Sequence, residues 1–187
     1  MISTSDFRNG KVVIMNGTLM ELVEFQHVKP GKGPAFVRTK LKNVLTGRVI
    51  EKTFRAGERM EEARLVHEPY QYSYSDGDLF HFMHRETYEQ TPVGKDIVGD
   101  SRDWLKENQD VDLLFHGSEV IRLELPVTVE LIVKKSDPGI QGDRAQGGTK
   151  PAELETGAAV QVPLFVNEGD VVKVDTRSGE YVERVSG

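Results

Sequence analysis

The chain has 187 residues, of which 37% are hydrophobic, and a formal net charge of −6. It contains no cysteine, which excludes disulfide bonds and thiolate metal sites. No apolar run approaches the roughly 20 residues of a membrane span, and the N-terminus lacks the basic and apolar segments of a signal peptide. We therefore expect a soluble cytoplasmic protein with one large domain or up to three small barrels.

The charges are unevenly distributed along the chain. Residues 26–55 carry eight basic side chains against one acidic, whereas residues 56–130 carry seven basic against seventeen acidic. Chance clustering on solvated strands would give a similar picture. The asymmetry also suits a protein with one face that meets phosphate and another that avoids it, so nucleic acid stays among the candidate partners.

The first 60 residues predict a small β-barrel, because short apolar or alternating runs are separated by turn residues. Asn16-Gly17 and Thr46-Gly47 are hairpin signals between such runs. The predicted strands are 11–15, 18–25, 35–42 and 48–54.

The turn between the second and third of these strands is the most informative stretch, and it consists of Pro30, Gly31, Lys32, Gly33 and Pro34. The glycines can take the positive φ that tight turns need, and the prolines fix φ near the two strand ends. The tip therefore presents Lys32 to solvent on a stiff loop. An ordinary charged hairpin tip would look similar, but stiffness is useful only if the position of the lysine matters.

The strand that leaves this tip alternates between apolar and basic residues. Arg38, Lys40 and Lys42 would share its outward face. A solvated sheet face would show the same pattern, so the alternation alone does not decide between the two interpretations.

The rest of the chain predicts two further barrels. One helix is expected at 100–108, capped by Asp100 or Ser101, with Trp104 and Leu105 on its apolar side. Strands around a short helix are typical of a five-stranded OB-type barrel. Residues 136–151 are predicted to be a Gly-rich loop before a third barrel. The further predicted strands are 63–68, 70–75, 79–84, 88–91, 111–115, 119–125, 127–134, 158–166, 170–175 and 180–185.

The sequence predicts no catalytic residues, no metal site and no cofactor. His81 and His84 would lie on opposite faces of one strand, and no second cluster completes a metal site. Residues 142–150 resemble a phosphate-binding loop, but Gly148 replaces its lysine and Pro151 follows in place of a helix. A hydrolase that uses the His/Asp-rich middle segment stays an alternative, and turnover by the purified protein would reveal it.

Several motifs occur in a specific order over nearly the whole chain: Phe7-Arg8-Asn9-Gly10, Val28-Lys29-Pro30-Gly31-Lys32-Gly33-Pro34-Ala35-Phe36, Leu45-Thr46-Gly47, Glu51-Lys52-Thr53-Phe54, Gly142-Asp143-Arg144-Ala145, Lys150-Pro151-Ala152, Val160-Gln161-Val162-Pro163-Leu164-Phe165-Val166 and Val174-Asp175-Thr176-Arg177-Ser178-Gly179-Glu180-Tyr181. With these motifs the chain resembles the bacterial translation elongation factor P family. The resemblance implies an all-β protein of three small barrels, the first SH3-like (KOW-type) and the next two OB-fold domains, in an L-shaped, tRNA-like arrangement. We expect the three domains at 1–64, 65–128 and 129–187.

The resemblance also implies a function and its partners. The protein would bind the 70S ribosome between the peptidyl-tRNA and exit sites and promote peptide-bond formation at consecutive prolines. Lys32 would reach the CCA end of the peptidyl-tRNA, and Gly142, Asp143 and Arg144 would approach exit-site mRNA and the small subunit. Lys29, Arg38, Lys40 and Lys42 are our candidates for phosphate contacts with tRNA or ribosomal RNA. We expect a monomer that contacts no membrane.

Many members of this family carry an extended modification at the tip lysine, which would require a Lys32-modifying enzyme as a further partner. Here Pro34 follows Gly33 and makes the tip palindromic, which favours function without obligatory modification. Two alternatives of other kinds stay open. One is an elongation factor P-like paralogue with a different stalling spectrum, and the other is an OB-type protein for single-stranded nucleic acid.

Overall fold

The computed structural model of this chain describes residues 1–138 and 148–186. The predicted all-β character is confirmed, because sixteen strands in these ranges form three sheets. The helical segments of the same ranges are one turn of α-helix, α1 (Lys95–Val98), and two 3₁₀ turns, Thr4–Asp6 and Gly99–Trp104. None of these described segments is long and apolar enough to cross a membrane.

The first sheet has six strands: β1 (Ile2–Ser3), β2 (Val12–Met15), β3 (Thr18–Val28), β4 (Phe36–Asn43), β5 (Val49–Arg55) and β6 (Arg59–Ala63). Their hydrogen-bonded order is β1-β6-β2-β3-β4-β5. Strand β6 was not predicted, since its sequence is mostly charged. Its two apolar side chains are nevertheless buried, because Met60 pairs with Ile2 and Ala63 pairs with Val12.

The core of the first sheet is built around Phe7, which is fully buried. Its ring meets Phe25 and Phe54 edge-on, at centroid distances of 6.2 Å and 5.7 Å. Edge-to-face pairs of this kind stabilise a core beyond the area they bury. The packing fixes β3 and β5 on either side of β4, and thereby fixes the base of the hairpin that β3 and β4 form.

The turn between β2 and β3 shows why the hairpin signals in this sequence were reliable. Asn16 and Gly17 both have positive φ, 51° and 75°, and the flanking residues Met15 and Thr18 pair directly. Two central residues with positive φ form the turn whose twist matches that of the adjoining strands. Asn and Gly are the residues that accept this conformation most readily.

The second sheet has five strands: β7 (Leu65–Ser75), β8 (Leu79–His84), β9 (Gln90–Gly94), β10 (Asp110–His116) and β11 (Glu119–Glu124). Their order is β11-β10-β7-β8-β9. The two strands predicted at 63–68 and 70–75 are in fact the single strand β7.

The predicted helix at 100–108 is wrong in position and type. Helical structure begins at Lys95 and changes at Gly99, whose φ of 51° interrupts the α-helix. The 3₁₀ turn that follows ends at Trp104, and Leu105 is already extended. Asp100 and Ser101 therefore lie inside helical structure and do not cap it.

The third sheet has five strands: β12 (Thr128–Ser136), β13 (Thr149–Leu154), β14 (Ala159–Pro163), β15 (Val171–Asp175) and β16 (Tyr181–Ser186). Their order is β14-β13-β12-β15-β16. Strand β13 corrects the loop predicted to extend to Pro151. Pro151 pairs with Gln161 of β14. On the side of β12 the last pair is Ala152 with Ser136, so Pro151 lies just beyond the end of that pairing. Its missing N–H therefore removes no ladder bond to β12.

The contacts group the chain into two compact units. The first comprises Met1–His67 and Leu114–Arg122, and the second comprises Glu68–Leu113 and Leu123–Gly187. The division into domains at 1–64, 65–128 and 129–187 stays a prediction.

Inside the second unit, Trp104 packs against the apolar core of the third sheet. Two hydrogen bonds support this contact. Thr156 Oγ1 donates to the carbonyl of Asp103 at 2.5 Å, and Lys106 Nζ donates to the carbonyl of Glu130 at 2.7 Å. The 3₁₀ turn after β9 is thus held against the third sheet by both apolar and polar contacts.

Candidate functional site

The β3–β4 hairpin carries the candidate site. Its last pair is Val28 with Phe36, so the connecting loop consists of residues 29–35. Residues 31–34 at the tip are all exposed. The loop therefore extends from the end of the hairpin into solvent and is not buried against the first sheet.

The backbone of the tip depends on one glycine. Gly33 has a φ of 109°, which side chains other than glycine rarely tolerate, whereas Gly31 has no such φ. The sequence allows a positive φ at both glycines of the tip, and in the structure only Gly33 of the two adopts one. Pro30 and Pro34 flank this position, and Pro30 Cγ is 4.0 Å from the place that a Cβ on Gly33 would occupy.

Within the described residues, Lys32 makes neither an ion pair nor a side-chain hydrogen bond. No described residue therefore holds its ammonium group, while the loop backbone on both sides is restricted by proline. A cation in this state is available to a partner at no cost in internal contacts.

Strand β4 has the predicted outward face. Val37, Thr39 and Leu41 are buried and alternate with exposed Arg38 and Lys40. The alternation is the period of two that a half-buried strand shows. Thr39 satisfies its buried hydroxyl by donating to the carbonyl of Lys52 at 2.7 Å.

The charge on this face is partly neutralised. Lys40 Nζ lies 2.9 Å from Glu24 Oε2 on β3, and on its other side Lys40 pairs with Glu51 of β5. The hydrogen bond to Glu24, and then the negative charge of that residue, raise the pKa of Lys40. Lys42 likewise faces an acidic partner, because it pairs with Glu21.

Arg38 differs from the other two cations on β4. The residues opposite it are Gln26 and Thr53, neither of which carries a charge. Its guanidinium lies 5.5 Å from the ring centre of Phe36, close enough for a cation–π contact that orients it without neutralising it. Arg38 is thus the β4 cation best prepared to meet phosphate.

The structure brings most of the predicted site residues together. Lys29 is exposed at the start of the loop, and Arg38 lies near the start of β4, on the strand that leaves it. Gly142, Asp143 and Arg144 lie outside the described residues. Sequence reasoning missed Glu24 and Glu51 as modulators of Lys40. Counting residues back from the hairpin tip would have placed Glu24 opposite Lys40.

The two histidines of β8 have structural partners. His81 Nε2 is 2.9 Å from Asp76 Oδ2, and the hydrogen bond lowers the pKa of Asp76. His84 is buried and its Nδ1 accepts the backbone N–H of Glu86, so its Nε2 carries the proton that is donated to Glu68. In the described part of the chain, no group of three or more His, Asp or Glu residues is arranged to hold a metal ion.

Comparison with known families matches three segments of this chain. Residues 3–60 match the elongation factor P KOW-like domain, residues 65–123 match the elongation factor P OB domain, and residues 129–184 match the elongation factor P C-terminal domain. Together these matches cover most of the chain, and they agree with the predicted KOW-like and OB folds.

Curated relatives match over their full length. Elongation factor P of Natranaerobius thermophilus is 53% identical over 187 residues, which cover 100% of both chains. That of Acetivibrio thermocellus is 54% identical over 185 residues, covering 99% of this chain and 100% of the relative. That of Mycolicibacterium vanbaalenii is 55% identical over 186 residues and covers 100% of both.

Solved structures support the fold. Translation initiation factor 5A from Methanococcus jannaschii aligns with a TM-score of 0.53 at 19% identity, covering 65% of this chain and 92% of that one. A protein of the initiation factor 5A family from Naegleria fowleri aligns with a TM-score of 0.52 at 14% identity, covering 66% of this chain and 96% of that one.

Proposed function

Because the chain belongs to the elongation factor P family of translation elongation factors, we propose that it binds the ribosome between the peptidyl-tRNA and exit sites and promotes peptide-bond formation at consecutive prolines. It acts in the cytoplasm and performs no covalent chemistry itself. The observation that carries the proposal is the solvent-exposed, proline-flanked Lys32 at the end of the β3–β4 hairpin.

The mechanism we propose is positional. Proline is a poor acceptor and a constrained donor, so the reacting ends are badly aligned. A stiff hairpin tip whose lysine contacts the CCA end of the peptidyl-tRNA restricts that end to a geometry from which the reaction can proceed. This restriction lowers the entropic part of the activation barrier. Each tenfold gain in rate needs only about 1.4 kcal/mol of transition-state stabilisation, which a few ordered contacts supply.

The remaining contacts position the factor. In this proposal Lys29 and Arg38 bind phosphates of tRNA or ribosomal RNA, with Lys40 and Lys42 as weaker contributors because acidic residues face them. Gly142, Asp143 and Arg144 meet exit-site mRNA and the small subunit. The acidic residues of the middle segment stay away from phosphate.

We expect Lys32→Ala to abolish the rescue of polyproline synthesis, because it removes the tip cation and leaves the fold intact. The rate of peptide-bond formation on a Pro-Pro-Pro message should fall to that of ribosomes without factor. The midpoint of thermal unfolding should stay within about 2 °C of wild type, since the exposed side chain of Lys32 makes no ion pair or hydrogen bond with the residues that the structure describes.

The matched control is Lys134→Ala, which removes an exposed lysine from the third sheet. It should preserve full rescue. Full rescue by Lys32→Ala, in the same assay, would refute the proposed role of the tip.

We also propose that Lys32 works without obligatory modification. Two prolines restrict the loop before binding, so less order has to be imposed on the ribosome. The intact mass of the protein from its native host should equal that of the bare chain. A larger mass that peptide mapping locates at Lys32 would contradict this proposal.

A further inference from the structure

A groove of about 390 Å³ lies on the outward face of β3, β4 and β5. Residues that pair across strands share a face of the sheet, so this face consists of rows of one residue from each strand. From the 29–35 loop outwards, the rows are Val28 with Phe36 and Arg55, Gln26 with Arg38 and Thr53, and Glu24 with Lys40 and Glu51. The second and third of these rows line the groove.

The charge changes sign along this face. The third row carries two carboxylates against the one ammonium group of Lys40, which already lies 2.9 Å from Glu24. The two rows nearer the hairpin tip carry Arg38 and Arg55 and no acidic residue. An anion in the groove is therefore attracted to the end near the tip and disfavoured at the other end.

Arg55 adds a second guanidinium group to that of Arg38. It is exposed, and within the described residues its side chain makes no ion pair or hydrogen bond. The adjacent carboxylate of Glu58 accepts the backbone N–H of Arg55 at 3.0 Å. Arg38 and Arg55 are diagonal neighbours on adjacent strands, a relation that places residues roughly 7–8 Å apart. Their long side chains can thus reach two neighbouring phosphates.

Gln26 and Thr53 flank Arg38 in the second row. An amide and a hydroxyl group each donate and accept hydrogen bonds. Both side chains are exposed, and neither bonds to another group within the described residues. A ribose 2′-OH, which also donates and accepts and lies close to a phosphate, suits such a pair of side chains.

We propose that the end of the groove near the tip binds the sugar–phosphate backbone of one RNA strand. Arg38 and Arg55 bind successive phosphates, because guanidinium groups match phosphate oxygens well. Gln26 and Thr53 bond to the 2′-OH of the ribose between these phosphates. Phe36 orients Arg38 through their cation–π contact. The inference rests on the proposed function for the presence of RNA at this face, and it adds Arg55 and the recognition of ribose.

The experiment measures binding of the full chain to a short RNA hairpin that ends in a 3′ CCA, by fluorescence anisotropy at several salt concentrations. Arg55→Ala should weaken binding about tenfold at low salt and lower the slope of log affinity against log salt by about one. The double variant Arg38→Ala/Arg55→Ala should lower this slope by about two, because two phosphate contacts are lost.

The same hairpin with 2′-O-methyl groups tests the recognition of ribose. It should bind wild type about fivefold more weakly than the unmodified hairpin, because its riboses no longer donate hydrogen bonds. The double variant Gln26→Ala/Thr53→Val should bind the two hairpins equally.

Two exposed residues outside these rows provide matched controls. Arg59→Ala on β6 should bind RNA as wild type does, and Gln161→Ala on β14 should keep the preference for the unmodified hairpin. The proposal is overturned if Arg55→Ala binds the hairpin as tightly as Arg59→Ala, or if wild type binds the two hairpins equally. The assay contains no ribosome and forms no peptide bond, so it can fail while polyproline rescue succeeds, and the reverse.

Discussion

Lys40 shows how neighbouring strands change what a residue can do. Its strand position predicts an outward cation, and the structure confirms that it points outward. Glu24 and Glu51 then flank it, so a phosphate that approaches Lys40 must compete with two carboxylates. Arg38, two residues away on the same face, has uncharged neighbours.

We therefore expect Arg38→Ala to weaken ribosome binding more than Lys40→Ala does. The arginine variant should lower the slope of log affinity against log salt by about one, as expected for one lost phosphate contact. Glu24→Gln should have the opposite effect, because it releases Lys40 and steepens the salt dependence. Co-sedimentation with ribosomes over a range of salt concentrations measures all three variants.

Equal losses for Arg38→Ala and Lys40→Ala would show that the flanking carboxylates do not matter on the ribosome. Gln26→Glu is a useful further control, since it places a carboxylate opposite Arg38. It should reduce binding towards the level of Arg38→Ala.

Only part of the environment of Lys40 could be predicted from the sequence. The face of Lys40 follows from alternation along one strand, which is local information. Glu24 can be placed opposite Lys40 by counting back from the hairpin tip, but the position of Glu51 depends on the register of β4 with β5, two strands that a separate connection at residues 44–48 joins. A register of this kind is set by packing as well as by the turn.

At the scale of the element, the hairpin tip depends on one unusual backbone conformation. Gly33 has a φ of 109°, and Gly31 does not have a positive φ in that range. The two glycines are one residue from Lys32 on either side, and nothing crowds a Cβ at Gly31. They form a matched pair for testing whether the shape of the loop matters.

We expect Gly33→Ala to impair polyproline rescue and Gly31→Ala to preserve it. A Cβ at positive φ costs about 1–2 kcal/mol, which an exposed loop relieves by changing its conformation. The damage should therefore appear in the rate of peptide-bond formation and not in the thermal midpoint. Equal activity of the two variants would show that the tip tolerates several shapes.

Elements with strong local signals were predicted well, and those defined by distant contacts were not. The Asn16-Gly17 turn has the expected conformation. Strand β6 is mostly charged, so only its pairing with β1 and β2 makes it a strand. Strand β13 contains Pro151, which predicts a break, and its place between β12 and β14 overrides that preference.

At the scale of the whole molecule, Trp104 connects parts of the second compact unit that are distant in sequence. It follows β9 in the chain and packs against the core of the third sheet. The predicted helix assigned Trp104 to a local apolar face. Its neighbours in the structure are distant in sequence. Gly179 is one of them, because a Cβ atom added to this glycine would lie 3.2 Å from Trp104 Cζ2.

We expect Trp104→Ala to destabilise the second unit by about 2–4 kcal/mol, through lost contacts and an unfilled space. In this variant the amide hydrogens of the second unit should exchange in two cooperative groups, whereas those of the wild type exchange in a single group. Hydrogen exchange followed by mass spectrometry measures both effects. Trp104→Phe should retain most of the stability.

Tyr88→Ala is the control for this prediction, because Tyr88 is an aromatic residue that is 70% exposed. Its loss should leave the exchange pattern unchanged. If Trp104→Ala behaves like Tyr88→Ala, the tryptophan does not couple the 3₁₀ turn to the third sheet.

Strand β5 lies at one end of the order of the first sheet, and this position has a consequence for self-association. An edge of this kind invites strand addition by another copy of the chain. Here the edge carries Glu51, Lys52 and Arg55, all exposed. Docking of a second copy would strip hydration water from three ionised groups, so this edge disfavours strand addition by another copy of the chain.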